Sequence, residues 1–168
     1  MIFQLVGDTD GTRKFNYVSN GVSNLTGKTA AEVMENPAIL YNIILEEDRK
    51  AFLDAEQKAN EQLSVFNQEV RCLSYKNEIR WVNIVSTPRK QQNGKIVWDG
   101  FHIDITDRKE AIKKLADSEA RFRSLIENST DAIVSTDADA RILYQSPSVL
   151  KILGYTMAER LNKKSFDY

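Results

Sequence analysis

The 168-residue sequence has one cysteine, Cys72, and one histidine, His102. A lone thiol cannot close an internal disulfide, and the pair cannot supply the His/Cys sets of zinc sites or a two-cysteine redox motif. Seven Gly and three Pro are too few for a fibrous or low-complexity chain. An excess of either charge is also missing. The 23 Lys plus Arg against 24 Asp plus Glu leave a net charge of -1, which argues against duplex nucleic acid or an anionic membrane held by bulk charge. Long apolar runs are absent too: Ala38 to Leu45 is broken by Asn42 and falls far short of the roughly 20 residues needed to span a bilayer. The first residues, Met1 to Asp8, have no basic flank and too short an apolar run for a secretion signal. The expectation is a soluble cytoplasmic segment with neither a nucleic-acid partner nor membrane contact of its own.

What is present is 42% apolar and 28% charged, enough apolar material for a buried core. At about 100 to 200 residues per domain, the length allows one domain or one and a fraction. The fraction has a shape. At an offset of 127, Leu5 to Glu32 aligns without a gap to Ala132 to Glu159, and nine of the 28 columns are identical. About two identities would arise by chance at typical residue frequencies. They include Thr9/Thr136, Asp10/Asp137, Tyr17/Tyr144, Ser19/Ser146, Gly27/Gly154, Thr29/Thr156 and Glu32/Glu159. One unit is followed by the beginning of a second.

In the first unit, Ile2 to Val6 and Phe15 to Val18 are β-favouring runs separated by Asp8-Thr9-Asp10-Gly11, the chemistry of a hairpin turn. Short helices are expected over Asn20 to Leu25 and Thr29 to Met34, with Thr29 and Glu32 spaced as a capping box and Asn36-Pro37 as a stop. Ala51, Phe52, Ala55 and Ala59 recur at helical spacing, which predicts a longer helix over Glu47 to Gln62. The period then becomes two. Val65 to Leu73, Ile79 to Thr87 ended by Pro88, and Lys95 to Ile105 read as three strands, the last two joined by the Asn93-Gly94 turn. From Thr106 the pattern is helical, and Ile105, Ile112, Leu115, Phe122 and Ile126 fall on heptad positions shared with Arg108 and Glu119. This is a short dimerising coiled coil or an amphipathic linker lying on its own domain.

The order of these elements and several local motifs resemble the PAS family of sensory domains with its closing PAC motif. Arg80-Trp81-Val82, Pro88, Asn93-Gly94, Gly100, Asp104-Ile105-Thr106 and Asp107-Arg108-Lys109 are similar to that family's last three strands and terminal signature. Glu47-Asp48-Arg49 and Glu69-Val70-Arg71 match as well, and Arg121 to Ser129 resembles the entry into a second such domain. Asn77 stands where the family commonly has Gly, and Asn tolerates the left-handed region such a turn needs. The resemblance implies an α+β fold: a five-stranded antiparallel sheet with helices on one side, enclosing a small apolar cleft. It implies a sensory domain over residues 1–105, a helical signalling linker over 106–126, and the truncated front of a second PAS domain over 127–168.

By alternation, Phe66, Val70, Cys72, Phe101 and Ile103 are expected to face the helices, with Leu40 and Ile44 closing the other side. They line either a ligand cleft or plain core, and no small molecule can be named from them. Cys72 lies in a strand, not in the helical Asn-Cys-Arg motif of the flavin photoreceptor branch, so no Cys-flavin adduct is expected and a buried structural thiol is. His102 is off the long helix where haem-binding relatives place their ligand, so haem is not expected. Asp104, Ile105 and Thr106 form the candidate signal relay: Thr106 or Asp107 can cap the following helix, and Asp104 can take a bond from Arg71 or Arg80.

The function expected from the resemblance is a non-catalytic sensory and dimerisation module of a two-component signalling protein, a sensor histidine kinase acting through a phosphorelay. It would pair as a homodimer through the linker helix and pass a small-molecule or partner signal to a downstream output domain. The alternatives are a ligand-free interaction domain and a small enzyme using the cleft. The enzyme would need an inward-facing titratable group, which the strand pattern does not supply.

Overall fold

The computed structural model describes residues 1–7 and 12–165. The turn expected at Asp8 to Gly11 lies outside them. Met1–Glu110 and Ala111–Tyr168 form two compact units, described in turn.

In the first unit, β-branched and aromatic residues alternate with polar ones and pair into β1 (Ile2–Gly7), β2 (Arg13–Val18), β3 (Phe66–Leu73), β4 (Ile79–Lys90) and β5 (Ile96–Asp104). They make one antiparallel sheet in the order β2-β1-β5-β4-β3. Between β2 and β3 the chain forms a 3-10 turn at Asn20–Val22 and four helices: α1 (Ser23–Thr26), α2 (Ala30–Glu35), α3 (Ala38–Asn42) and α4 (Glu46–Gln62). The predicted capping box is present, with Thr29 Oγ1 accepting from Glu32 N and the Glu32 carboxylate accepting from Thr29 N at 2.8 Å. Gly27 ends α1 at φ 69°, and Asn77 holds the β3–β4 turn at φ 59°, both in the left-handed region.

The helices cover one face of the sheet. Phe52 and Ala59 of α4 pack with Ile44 on Phe66, Val70, Cys72, Val82 and Ile84, while Val22, Val33 and Leu40 pack on Phe3, Leu5, Val18 and Trp98. Asp48 ties the start of α4 to β3. Its carboxylate accepts from the backbone N of Arg71 at 2.9 Å and twice from the guanidinium, which holds the carboxyl below its ordinary range. Pro88 does not end β4, which runs on to Lys90. Beyond Ser86 no β3 residue lies beside β4, so on that open side the missing N–H of Pro88 costs no ladder bond.

The long helix α5 (Thr106–Glu127) begins within the first unit. The second unit holds β6 (Val134–Thr136), β7 (Ile142–Gln145), α6 (Ser148–Leu153) and α7 (Met157–Arg160), and its two strands pair with each other. Its local devices repeat those of the first. Gly154 ends α6 at φ 78°, and Thr156 with Glu159 forms a second capping box. The ladders correct the gapless alignment at one point. Val134 opposite Gln145 takes the place of Phe3 opposite Val18, and each ladder shifts register one residue pair later, at Gln4/Leu5 and at Ser135/Thr136. The first strands therefore correspond at an offset of 131 and the second strands at 127, because the first hairpin is four residues longer.

Candidate functional site

Cross-strand pairing decides which residues of β5 face the helices. Phe3 lies opposite Gly100 and Leu5 opposite Trp98, and Phe3 and Leu5 point into the core, so Trp98, Gly100 and His102 share that face. Phe101 and Ile103, expected in the cleft, point the other way and are 38% and 51% exposed. Gly100 is required by the packing. A Cβ there would stand 2.5 Å from both Phe3 Cζ and the Val85 carbonyl oxygen.

Above this face lies a cavity of about 50 Å³. Its floor includes Phe3, Ser86, Trp98 and His102, and its roof is the Phe52, Glu56 and Asn60 face of α4. Helical spacing puts those three in one row. Leu40, Ile44 and Phe66, expected in the cleft, line this cavity. Val70 and Cys72 do not; they are buried in the adjoining core. Burial, with the charges of Asp48 and Asp104 adding, raises the Cys72 thiol to about 12, the state of an inert structural cysteine.

Ring contacts stiffen the wall. Phe52 meets Tyr41 edge-on at 6.0 Å and Phe66 at 5.2 Å, and Phe3 meets His102 at 5.1 Å. Tyr41 donates to Glu56 at 2.8 Å, and Arg13 pairs with the other Glu56 oxygen at 3.1 Å. Burial, followed by the Glu56 charge, drives the Tyr41 hydroxyl well above its ordinary range. His102 is brought down to about 3, first by burial and then by the N-terminal ammonium, which donates to its backbone carbonyl at 2.8 Å. It also borders a second, more polar cleft of about 220 Å³ that includes Arg80 and Asp104.

Tyr41, Glu56, Asn60, Ser86 and His102 were absent from the expected lining. For one of them, His102, the sequence held a signal: a mid-strand Gly marks close approach of another group, and Gly100 shares a face with His102. Among the described residues, no group of three His, Cys, Asp or Glu could hold a metal ion.

Asp104, Ile105 and Thr106 join the sheet to α5. Trp81 N donates to Thr106 Oγ1 at 2.9 Å, Ile105 N donates to the Trp81 carbonyl at 2.8 Å, and Thr106 N donates to Asp104 Oδ1 at 2.9 Å. The Thr106 hydroxyl donates to the same carboxylate oxygen. Arg80, not Arg71, approaches Asp104, at 3.9 Å, while also pairing with Glu78. Lys109, one turn into α5, stands 4.9 Å over the Trp81 ring and pairs with Glu69. The first turn of α5 is thereby bonded to β3 and β4 as well as continuous with β5.

A five-stranded antiparallel sheet capped by helices over an apolar cavity and continued into a long helix is a small α+β domain of the PAS type. Residues 15–102, more than half of the chain, match the family described as PAS fold, and residues 120–168 match PAS domain. The chain belongs to the PAS family of sensory domains. Among solved structures it is similar to the N-terminal domain of a diguanylate cyclase with a PAS/PAC sensor from Marinobacter aquaeolei, at 15% identity and TM-score 0.55 over 65% of this chain and 99% of that one. A sensory box histidine kinase/response regulator from Burkholderia thailandensis matches at 20% identity and TM-score 0.53, covering 74% of this chain and 92% of the other. A domain described as that of a light and redox sensing histidine kinase from Haloarcula marismortui matches at 24% and 0.52, covering 63% and 90%. These likenesses establish the fold. No curated protein matches the chain. Among the described residues, no helix is long and apolar enough to cross a membrane.

Proposed function

We propose that the chain is a non-catalytic sensory and dimerisation module of a cytoplasmic signalling protein, a sensor histidine kinase, which relays occupancy of the cavity to an output domain through α5. The observation that carries this reading is the joint at Asp104 to Thr106. Ser86 and Ile84 of β4 and His102 of β5 line the cavity, and the same two strands hold the first turn of α5 through Trp81 and Asp104. A ligand that displaces those strands displaces the helix start.

The cavity supports binding over catalysis, because its carboxylate, Glu56, is held by Tyr41 and Arg13 and is not free to act as a base. The buried Cys72, and a His102 carried on β5 and not on α4, favour a ligand held without a covalent thioether or haem bond. Along α5, Ile112, Leu115 and Phe122 are 56%, 70% and 64% exposed at heptad positions, which supports a second copy of the chain as the partner.

Sedimentation of the chain and of its Leu115→Asp variant tests the pairing: a dimer converted to a monomer is expected. Spin labels at Glu119, on a Cys72→Ser background, should report an inter-helix distance that changes on Asp104→Ala. A monomer at every concentration, or an unchanged distance, overturns the reading. A ligand-free interaction domain is the second reading, favoured by the exposed Ile2, Phe101 and Ile103 on the outer sheet face. Under it, mutations in the cavity would leave the α5 distance unchanged.

A further inference from the structure

The polar groups facing the cavity are few and unequal. Ser86 is 7% exposed, sits mid-strand between Phe66 and Gly100, and borders the cavity with a hydroxyl that can both donate and accept. The Asn60 side-chain Nδ2 is buried without an acceptor. The His102 imidazole borders the same space, and in its neutral form it offers one donor and one acceptor. Glu56 is the one charged lining residue, and it is already neutralised by Arg13. A buried orphan donor costs roughly 1 to 3 kcal/mol unless something accepts from it, so a fold that keeps the Asn60 amide beside this cavity has a reason to fill it.

Water alone fills it poorly. One water takes about 10 to 15 Å³ of such space and needs two to four polar partners. The 50 Å³ would therefore take about three to five waters. Ser86, Asn60 and His102 satisfy about one of them, and apart from Tyr41 and Glu56, which bond each other, the other walls are Phe, Leu, Ile and Trp. A charged ligand fares worse, because no free counter-ion faces it and burying an unpaired ion is expensive.

We infer that the cavity takes a small uncharged molecule with a short apolar body and one oxygen, a ketone, aldehyde or alcohol, whose oxygen accepts from Asn60 Nδ2 and Ser86 Oγ. The inference rests on the sensory reading and specifies its ligand class. His102 then either packs on the apolar body or donates to the same oxygen, and the aromatic wall sets the size limit.

The test is ¹H–¹⁵N correlation NMR of the whole 168-residue chain, titrated separately with three probes of similar size: 2-butanone, 2-methylbutane and propanoate. The ketone should shift the Ser86 and Gly100 amides saturably. The hydrocarbon and the carboxylate should bind more weakly. Ser86→Ala and Asn60→Leu should each weaken ketone binding by about three- to tenfold, the worth of one hydrogen bond. If Asn60→Leu does not fold, Ser86→Ala decides alone, since it removes a single oxygen from a sheet residue. Equal binding of the hydrocarbon, stronger binding of propanoate, unchanged affinity in Ser86→Ala, or no saturable shift with any probe overturns the inference. The Thr106 amide separates it from the sensory reading. Ketone binding that leaves Thr106 unmoved sinks the relay and keeps the ligand class, and a Thr106 shift with a different probe does the reverse.

Discussion

Acidification should destabilise the first unit chiefly through one residue. His102 has a folded-state pKa of about 3, while an unfolded histidine titrates near 6.5. Above that value both states are neutral and nothing is lost. Below it the unfolded chain takes up a proton that the folded chain refuses, so stability falls by about 1.4 kcal/mol per pH unit until the folded pKa is reached. Between pH 6.5 and 5 this amounts to roughly 2 kcal/mol, a large share of the 5 to 15 kcal/mol that holds a typical domain. The carboxyls held low by their partners, Glu32, Asp48, Glu78 and Asp99, enter only near pH 4 and below, and the Met1 ammonium, lowered by burial, adds a loss of the same sign from about pH 8 down that a His102 variant shares. Glu56 and Tyr41 share the inner cavity with His102, and Lys76, Glu78, Arg80 and Asp104 border it on the cleft side. Comparison with His102→Phe cancels their common contribution. Urea unfolding at pH 7, 6 and 5 should show a steeper loss in the native chain than in the variant. Because the chain has a single histidine, its ring proton resonance assigns itself. A folded-state titration midpoint near 6.5, or equal pH slopes in both proteins, would falsify the account.

Gly100→Ala places a methyl 2.5 Å from Phe3 Cζ and from the Val85 carbonyl, and since the backbone cannot yield cheaply, about 1 to 3 kcal/mol should be lost in denaturant unfolding. A change within error would mean that the floor of the cavity is looser than its packing implies. Thr106→Val removes the acceptor for Trp81 N and the donor to Asp104, so hydrogen exchange at the Trp81 amide should rise about tenfold with the rest of β4 unchanged. Uniformly faster exchange would instead indicate a global loss of stability. Cys72 is 2% exposed with its thiol raised to about 12, so a thiol reagent at pH 8 should label it only after unfolding. Stoichiometric labelling of the folded chain would contradict its burial.

The elements legible in advance were those that near neighbours settle. The capping box of Thr29 and Glu32 joins residues three apart, its counterpart at Thr156 and Glu159 follows from the repeat, and the left-handed Asn77 follows from local sterics. The period of the long helix and the order of the strands were readable for the same reason. Strand alternation, by contrast, divides residues into two sets without saying which set faces inward. In β5 it grouped Phe101 with Ile103 and His102 with Trp98 and Gly100, and hydrophobicity then selected the wrong set. Phe3 and Leu5, some hundred residues away in sequence, make the decision by pairing with Gly100 and Trp98.

By itself, then, the sequence determined a repeated unit, its sequence of helices and strands, and the joint at Asp104 to Thr106, all encoded in interactions within a few residues or in matched motifs. Only the tertiary structure decided that Ser86, Asn60 and His102 meet one cavity, that Phe101 and Ile103 leave it, and that the first strands of the two units correspond four residues away from the gapless alignment. The physical reason is the same in each case. Facing and register are properties of a pair of strands, fixed by whichever partner offers the better-packed face, and that partner lies far along the chain.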